Sequence, residues 1–146
     1  MIRIEVPGTP VAQGRPRFAR RGKFVSTYDP PKSRAYKQKV AIYGRASMAP
    51  RKPLTGPLKV TVYIYRQIQK NGSKALKTAK INGDVLPTVK PDVDNYYKAV
   101  TDACTGIVWH DDNQIIDGRT IKKYSDNPRM IMEVSELSTV TTIRTK

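Results

Sequence analysis

Two short acidic segments carry the residues of this chain that are best suited to chemistry. Asp92 and Asp94 lie two positions apart, and Asp111 and Asp112 are adjacent. These four side chains are a third of the 12 acidic residues in a chain that has 27 Lys and Arg. Carboxylates are ligands that Mg²⁺ accepts in proteins, with water and substrate phosphate completing its coordination. The two acid pairs therefore indicate a divalent-metal site.

The backbone must bring the two pairs together for such a site to form. In an extended segment side chains alternate, so Asp92 and Asp94 would face one side and Val93 would turn inward. A path of strand, helix and turn could then return Asp111 or Asp112 to the first pair. Each acid taken singly has a plainer explanation, because these residues also cap helices, accept hydrogen bonds in loops and lie in turns.

A lysine follows the first pair at helical spacing. Lys98 lies one turn after Asp94 on the same face, where it could form an ion pair or stabilise charge on a transferred phosphate. Asp102 lies four residues further on, and we expect it to form a surface pair. The remaining reactive side chains have structural interpretations: His110 lies in a turn, and Cys104 is a small core residue without a histidine to activate it.

The charge of the whole chain favours a polyanionic partner. The formal net charge is +15 and the isoelectric point is near 10.1, which indicates nucleic acid. A Gly-punctuated stretch at 13–23, expected to form a basic loop or hairpin, concentrates cations that would contact the DNA backbone, and we expect Lys90 to do the same. The predicted DNA-binding residues are Arg15, Arg17, Arg20, Arg21, Lys23 and Lys90.

Hydrophobic periodicity and turn residues predict an α+β fold in which a mixed β-sheet carries two main helices. The predicted strands are 2–6, 24–28, 58–65, 115–124 and 129–137, and the predicted helices are 33–48 and about 94–105. The strand at 58–65 is expected near the sheet centre because β-branched and aromatic residues dominate it. Tyr36, Val40 and Tyr43 would share the buried face of the first helix, and Tyr97, Val100 and Cys104 that of the second.

Length and composition predict a single domain over residues 1–146. Within it, 67–90 is expected to be a basic flexible loop with a short helix near 73–80, able to close over bound nucleic acid, and 138–146 a frayed tail. The single cysteine and the lack of an apolar run of membrane-spanning length favour a cytoplasmic protein with no membrane association. No dinucleotide or P-loop fingerprint is present, so no organic cofactor is expected.

Longer motifs in the chain resemble a known family. The stretch KPDVDNYYKAVTDACTG at 90–106, followed by DDNQI at 111–115, is similar to the core signature of RusA-type Holliday junction resolvases. The segments PGTP at 7–10, GRPRF at 14–18 and YDP at 28–30 are similar to phage and prophage members of that family. Together these motifs span most of the chain in the expected order.

The resemblance implies a homodimeric, Mg²⁺-dependent endonuclease that resolves four-way DNA junctions by paired symmetric nicks in recombination and repair. The family's catalytic carboxylates fall on Asp92, Asp94 and Asp112, which would also bind the metal, and its catalytic lysine falls on Lys98. Asp111 matches the acid before the last of these, and we include it among the metal ligands.

Two other interpretations of the sequence stay open. A non-catalytic basic protein that binds nucleic acid would explain the charge, with the acid pairs serving as caps and turns. A metal-dependent nuclease with a different branched substrate, such as a flap or a fork, would keep the site and change the target.

Overall fold

A four-stranded mixed sheet organises the fold in the computed structural model, which describes residues 1–138. The strands are β1 (Ile2–Pro7), β2 (Arg17–Arg21), β3 (Phe24–Tyr28), β4 (Leu58–Gln67), β5 (Ile115–Ser125) and β6 (Arg129–Glu136). The helices are α1 (Pro31–Met48), α2 (Lys74–Asn82) and α3 (Val93–Cys104), and a 3-10 turn covers Asp112–Gln114. The predicted α+β class with a mixed sheet is confirmed.

The sheet has the order β1-β6-β4-β5, with β4 parallel to β5 and antiparallel to β6. The predicted central position of the strand at 58–65 is therefore confirmed. Although β5 and β6 follow each other through a short turn, they are not neighbours, because β4 lies between them. Strand β5 thus forms a free edge of the sheet within the described part of the chain.

The core lies between one face of the sheet and helices α1 and α3. Alternate side chains of β1, β4 and β6 point into it, and most of them are fully buried. Helix α1 buries Ser33, Tyr36, Val40, Gly44 and Met48. The prediction for Tyr43 was wrong, since Tyr43 is 36% exposed: the buried positions advance by three or four residues and pass from Val40 to Gly44, leaving Tyr43 on the flank.

The core does not extend under β5. Register places Gly118 opposite Val60 and Thr120 opposite Val62, so these two β5 residues and Lys122 share the helix-facing side of the strand. None of the three carries a large apolar side chain that could fill the space beneath α3. A shallow groove of about 380 Å³ therefore lies between β5 and the first turns of α3.

Two elements lie outside the layers formed by the four-stranded sheet and helices α1 and α3. Strands β2 and β3 pair only with each other, as a hairpin whose second strand is exposed at all its positions. Helix α2 confirms the short helix predicted within 67–90: Ser73 Oγ accepts from Leu76 N at its start, and Gly83 ends it at a φ of 82°. It contacts β5, where Lys80 Nζ lies 4.7 Å from the centre of the Tyr124 ring. The flexibility of 67–90 stays a prediction.

The predicted frayed tail lies outside the described residues, apart from Ser138. None of the helices in the described part has both the length and the apolar character needed to cross a lipid bilayer.

Candidate active site

The first acid pair lies at the start of α3. Asp92 is the residue before the helix, with φ −74° and ψ 157°, and its side chain makes no capping hydrogen bond. Asp94 lies in the first turn, where its Oδ1 accepts from Asn95 N at 3.0 Å. The prediction of an extended segment was therefore wrong, and so was the inward turn of Val93, which is 43% exposed. Both carboxylates are exposed, and Asp94 lines the groove beside β5.

Two cations from the sheet hold the chain that leads into α3. Lys122 Nζ of β5 donates to the carbonyl oxygens of Val89 and Pro91 at 2.8 and 2.9 Å. Arg66 Nη1 at the end of β4 donates to Lys90 O at 2.7 Å and to the Tyr96 hydroxyl at 3.2 Å. These charge-assisted bonds fix the residues just before Asp92 against the sheet.

The second acid pair lies in the 3-10 turn before β5. Asp111 precedes this turn, and its Oδ1 accepts from Asn113 N at 2.9 Å. Gln114 completes a capping box by accepting from Asp111 N at 2.9 Å through its side-chain oxygen. Asp111 therefore has a structural role as a cap, and its assignment as a metal ligand stays a prediction.

Asp112 is oriented by two donors on a single oxygen. Its Oδ1 accepts from Trp109 Nε1 at 2.8 Å and from Thr105 Oγ1 at 2.6 Å. The indole can only donate, and Trp109 is fully buried, so this contact fixes the carboxylate against a rigid part of the core. The Thr105 hydroxyl also lies 2.9 Å from Thr101 O; because it has one proton, the shorter contact to a charged oxygen is favoured. Oδ2 of Asp112 remains for other ligands.

Tyr97 fills part of the space between α3 and β5, beside Asp94. Its ring lines the groove together with Asp94 and crosses β5 at Gly118, where an added Cβ would lie 2.5 Å from the Tyr97 hydroxyl oxygen. Burial raises the pKa of Tyr97, and the negative charge of Asp112 raises it further. The predicted apolar face of α3 is confirmed for Val100 and Cys104, and Tyr97 is partly buried against the core while it also lines the groove. Tyr96, which the prediction did not include, is the more deeply buried ring, at 3% exposure.

Lys98 belongs to a network of ion pairs between α3 and α1. Its Nζ lies 3.5 Å from Asp102 Oδ2, which also lies 3.4 Å from Lys37 Nζ of α1. Lys37 Nζ lies 3.0 Å from Asp29 Oδ2 as well, and Gln13 Nε2 donates to the other oxygen of Asp29. The hydrogen bond from Lys37 is the main reason that the pKa of Asp29 is lowered, with Gln13 next. The Lys98 side chain is 61% exposed, so it can leave Asp102 for an anion.

The predicted DNA-binding residues lie in or beside the β2–β3 hairpin, except for Lys90. Arg15, Arg20 and Lys23 are exposed in and beside the hairpin, and Arg17 and Arg21 bound the strand β2. Lys90 is exposed just before Asp92. The hairpin base is joined to α3 by a hydrogen bond from Gln13 N to Asn95 O at 2.9 Å. The hairpin and the acidic groove therefore belong to one connected part of the fold.

The side chains fit a divalent cation by type but do not form a closed cage. Over residues 1–138, no three His, Cys, Asp or Glu side chains converge as a metal-binding group. Mg²⁺ usually keeps several waters and binds proteins through one or two carboxylates plus substrate phosphate. The exposed oxygens of Asp92 and Asp94 and the remaining oxygen of Asp112 suit that open mode. The metal set predicted from the sequence stays a prediction.

A larger cavity elsewhere in the fold is not suited to bind a metal ion. It measures about 450 Å³ and lies between the 9–14 segment, Lys32, Arg66 and Tyr96. Its lining among the described residues contains no carboxylate. The shallower groove beside β5 is therefore the better candidate for metal-assisted chemistry.

Residues that support the acids were missed in the sequence. Trp109 lies three positions before Asp112, which is a short-range signal that an indole donor is within reach of the carboxylate. Tyr97 had been assigned to the core. Arg66 and Lys122 gave no sequence signal, because they reach 89–91 only through the pairing of β4 with β5.

Comparison with known proteins agrees with this description. Residues 7–135 match the family model described as "Endodeoxyribonuclease RusA". The chain is also 41% identical over 139 residues to the uncharacterized protein YqaN of Bacillus subtilis (strain 168), an alignment that covers 94% of this chain and 97% of that protein. The chain is a member of the RusA endodeoxyribonuclease family.

Proposed function

We propose that this protein is a divalent-metal-dependent endonuclease that resolves four-way DNA junctions by paired symmetric nicks, in DNA recombination and repair. Mg²⁺ is the proposed metal. The observation that carries the proposal is the open groove beside β5, which Asp94 lines together with Tyr97, within a chain of the RusA family. An open groove suits a DNA backbone, which a closed cavity would exclude.

We assign separate roles to the acidic residues, Lys98 and the basic residues of the chain. Asp92, Asp94 and Asp112 would hold the metal, with Asp111 beside them, and Trp109 keeps Asp112 in one orientation. When bound, Mg²⁺ supplies an activated water and compensates the charge of the phosphate. Lys98 is exposed, and its ion-pair partner is Asp102 on the same helix. Its ammonium would move to the leaving oxygen and stabilise the charge that develops there. Arg15, Arg17, Arg20, Arg21, Lys23 and Lys90 would position the DNA through its phosphates.

The proposed active form is a homodimer. A four-way junction presents two equivalent phosphates related by two-fold symmetry, and a two-fold dimer presents two identical sites. One protomer would make one nick.

We also propose cytoplasmic residence. Cys104 is free and fully buried, and burial together with the charge of Asp112 raises the pKa of its thiol to about 12. A thiol of that kind is unreactive and suits a reducing compartment.

Cleavage of defined DNA substrates tests the proposal. Native protein with Mg²⁺ should cut opposite strands of a four-way junction at symmetric positions, and it should leave linear duplex intact. Asp94→Asn and Asp112→Asn should each lower the single-turnover rate by more than about 100-fold, since loss of even an outer-shell partner typically costs about 10- to 100-fold. Both variants should retain junction binding, because the phosphate-contacting cations are unchanged.

Asp126→Asn is the matched control. Asp126 is an exposed aspartate in the turn between β5 and β6, so its loss changes the net charge by the same amount outside the groove. It should cut at the native rate. Tight binding of junctions without cleavage at any metal concentration would instead identify a non-catalytic binder. Equal cleavage of flaps, forks and junctions would identify a metal-dependent nuclease for branched DNA in general.

A further inference from the structure

The hairpin of β2 and β3 exposes more apolar surface than any role in the fold requires. Phe18 is 72% exposed, Phe24 is 80% exposed and Val25 is 60% exposed. An isolated two-stranded hairpin is marginally stable in water and gains nothing from rings that contact no core. Exposed apolar side chains concentrated on one projecting element usually mark a binding surface.

Register distributes the apolar side chains over both faces of the hairpin. Phe18 pairs with Thr27 and Arg20 pairs with Val25, which places Phe18 and Val25 on one face. Phe24 pairs with Arg21 and therefore lies on the opposite face. A ribbon that lay flat in a DNA groove would need one polar face toward the phosphates. A ribbon that is apolar on both faces is suited to insertion between two surfaces.

Charge identifies the kind of partner. Arg15, Arg20 and Lys23 are exposed beside the same rings, and they favour a polyanion over an apolar protein surface. Phenylalanine has no group that can read base edges by hydrogen bonding, but its ring stacks on the flat face of any base. Base faces inside a duplex are already stacked on one another. They become accessible where the duplex is interrupted, as at a branch point.

Hydrogen bonds connect the hairpin to α3, the helix that carries Asp94. Its base is tied to α1 by the bond from Gly14 N to Ser33 Oγ at 2.9 Å, and to α3 by the bond from Gln13 N to Asn95 O. Each of its five-residue strands spans about 17 Å at the usual rise per residue. The tip could therefore reach the centre of a branched DNA while a nearby phosphate lies at Asp94.

We propose that the β2–β3 hairpin is a wedge that enters the branch point of the DNA and stacks Phe18 and Phe24 on the bases exposed there. This inference rests on the proposed function for the identity of its occupant, branched DNA. It adds a means of recognition: the rings discriminate branched from linear DNA, whereas the cations bind both.

Binding without metal tests the wedge separately from cleavage. Four-way junctions would carry 2-aminopurine either at the branch or in the middle of one arm, in buffer with EDTA. Native protein should change the fluorescence at the branch only. Phe18→Ala and Phe24→Ala should each weaken junction binding by about 5- to 150-fold, which corresponds to the stacking of one base on an aromatic ring. Binding of linear duplex should change by less than about 2-fold, since phosphate contacts dominate it.

Three further variants identify the origin of the effect. Phe24→Tyr keeps an aromatic ring and should bind junctions as the native protein does, and Phe24→Leu keeps apolar bulk without a π face and should not. Ile42→Ala is the matched control, because Ile42 is an equally exposed apolar residue at 61% on α1. It should bind junctions at native affinity. Circular dichroism checks folding, which these substitutions at exposed positions should leave intact.

The proposal is overturned if the Phe18→Ala and Phe24→Ala variants bind junctions at native affinity, or if they lose junction and duplex binding equally. It is also overturned if the Phe24→Leu variant binds junctions at native affinity. These outcomes are independent of the proposed enzymatic activity. Native protein that stacks at the branch but cuts no DNA with Mg²⁺ would refute the nuclease and support the wedge. Native protein that cuts junctions, with Phe→Ala variants that bind and cut like it, would support the nuclease and refute the wedge.

Discussion

Replacement of Gly118 by alanine tests the groove at its narrowest contact. The added Cβ would lie 2.5 Å from the Tyr97 hydroxyl oxygen, 3.0 Å from Cζ and 3.2 Å from Cε1, whereas ordinary contact begins near 3.4 Å. The backbone of β5 is paired with β4 and cannot retreat easily, so the Tyr97 ring must move by about 1 Å. That movement shifts the ring within the groove that it lines together with Asp94.

The expected effects on stability and on rate differ strongly. Displacing the ring from its rotamer costs about 0.5–1.5 kcal/mol, while alanine in a strand interior gains about 0.5–1 kcal/mol over glycine. The free energy of unfolding should therefore change by less than about 1 kcal/mol. Misplacement of a site by about 1 Å can lower a rate by about 100-fold. Urea unfolding and single-turnover cleavage of a four-way junction measure the two quantities on the same preparation.

Two companion variants make this test specific. Tyr97→Phe combined with Gly118→Ala removes the closest clash, at the hydroxyl oxygen, and should recover part of the lost rate. Gly44→Ala is the control: Gly44 is also buried, but its added Cβ would meet only Ile107 and Val108 at 3.7 and 3.8 Å. It should be stabilising in helix α1 and neutral for cleavage. Native cleavage by Gly118→Ala, or the same loss with and without the Tyr97 hydroxyl, would refute the role given to this ring.

Two more substitutions test the ion-pair network that includes Lys98 and the hydroxyl that orients Asp112. Lys37→Met should raise the pKa of Asp29 toward its ordinary value of 3.8, which carboxyl NMR can follow. Because the pKa of Asp29 is lowered in the folded protein, its stabilising contribution is present above pH 3.8 and is lost as the pH falls further. The free energy of unfolding of the variant should therefore change less with pH in the acid range. An unchanged Asp29 pKa would contradict the network. Thr105→Val removes a hydroxyl donor to Asp112 and should slow junction cleavage by about 10- to 100-fold at unchanged affinity, as measured in single turnover; a native rate would assign the orientation of Asp112 to Trp109 alone.

Apart from β2, which lies in a stretch predicted only as a basic loop or hairpin, the strands could be predicted from the sequence because their patterns are local. Strand β4 has a nearly continuous series of β-branched and aromatic residues, and strand β1 alternates strictly, so each reports its own environment. The pairing of β4 with β5 could not be predicted in the same way. The two strands are parallel and separated by the segment that contains α2 and α3, and nothing in either strand specifies the other.

The candidate site could likewise be predicted only in part. The acids and Lys98 were identified from type and spacing, but their supporting residues depend on tertiary contacts. Tyr96 and Tyr97 are adjacent, and both fit helical spacing with Val100, so periodicity alone could not decide which one is buried. The position of β5 decides it, because Gly118 leaves room for one ring, which is that of Tyr97.

Helix α3 explains how an exposed groove can be positioned accurately. Val100 and Cys104 are fully buried against the sheet, so the rotation of the helix about its axis is fixed by the core. Successive residues are turned by about 100°, and a slip of one residue would carry Asp94 out of the groove. The Asp94 carboxylate can therefore be exposed and still be held in one direction, because burial further along the helix fixes the rotation of α3 and the Asn95 N–H binds its Oδ1.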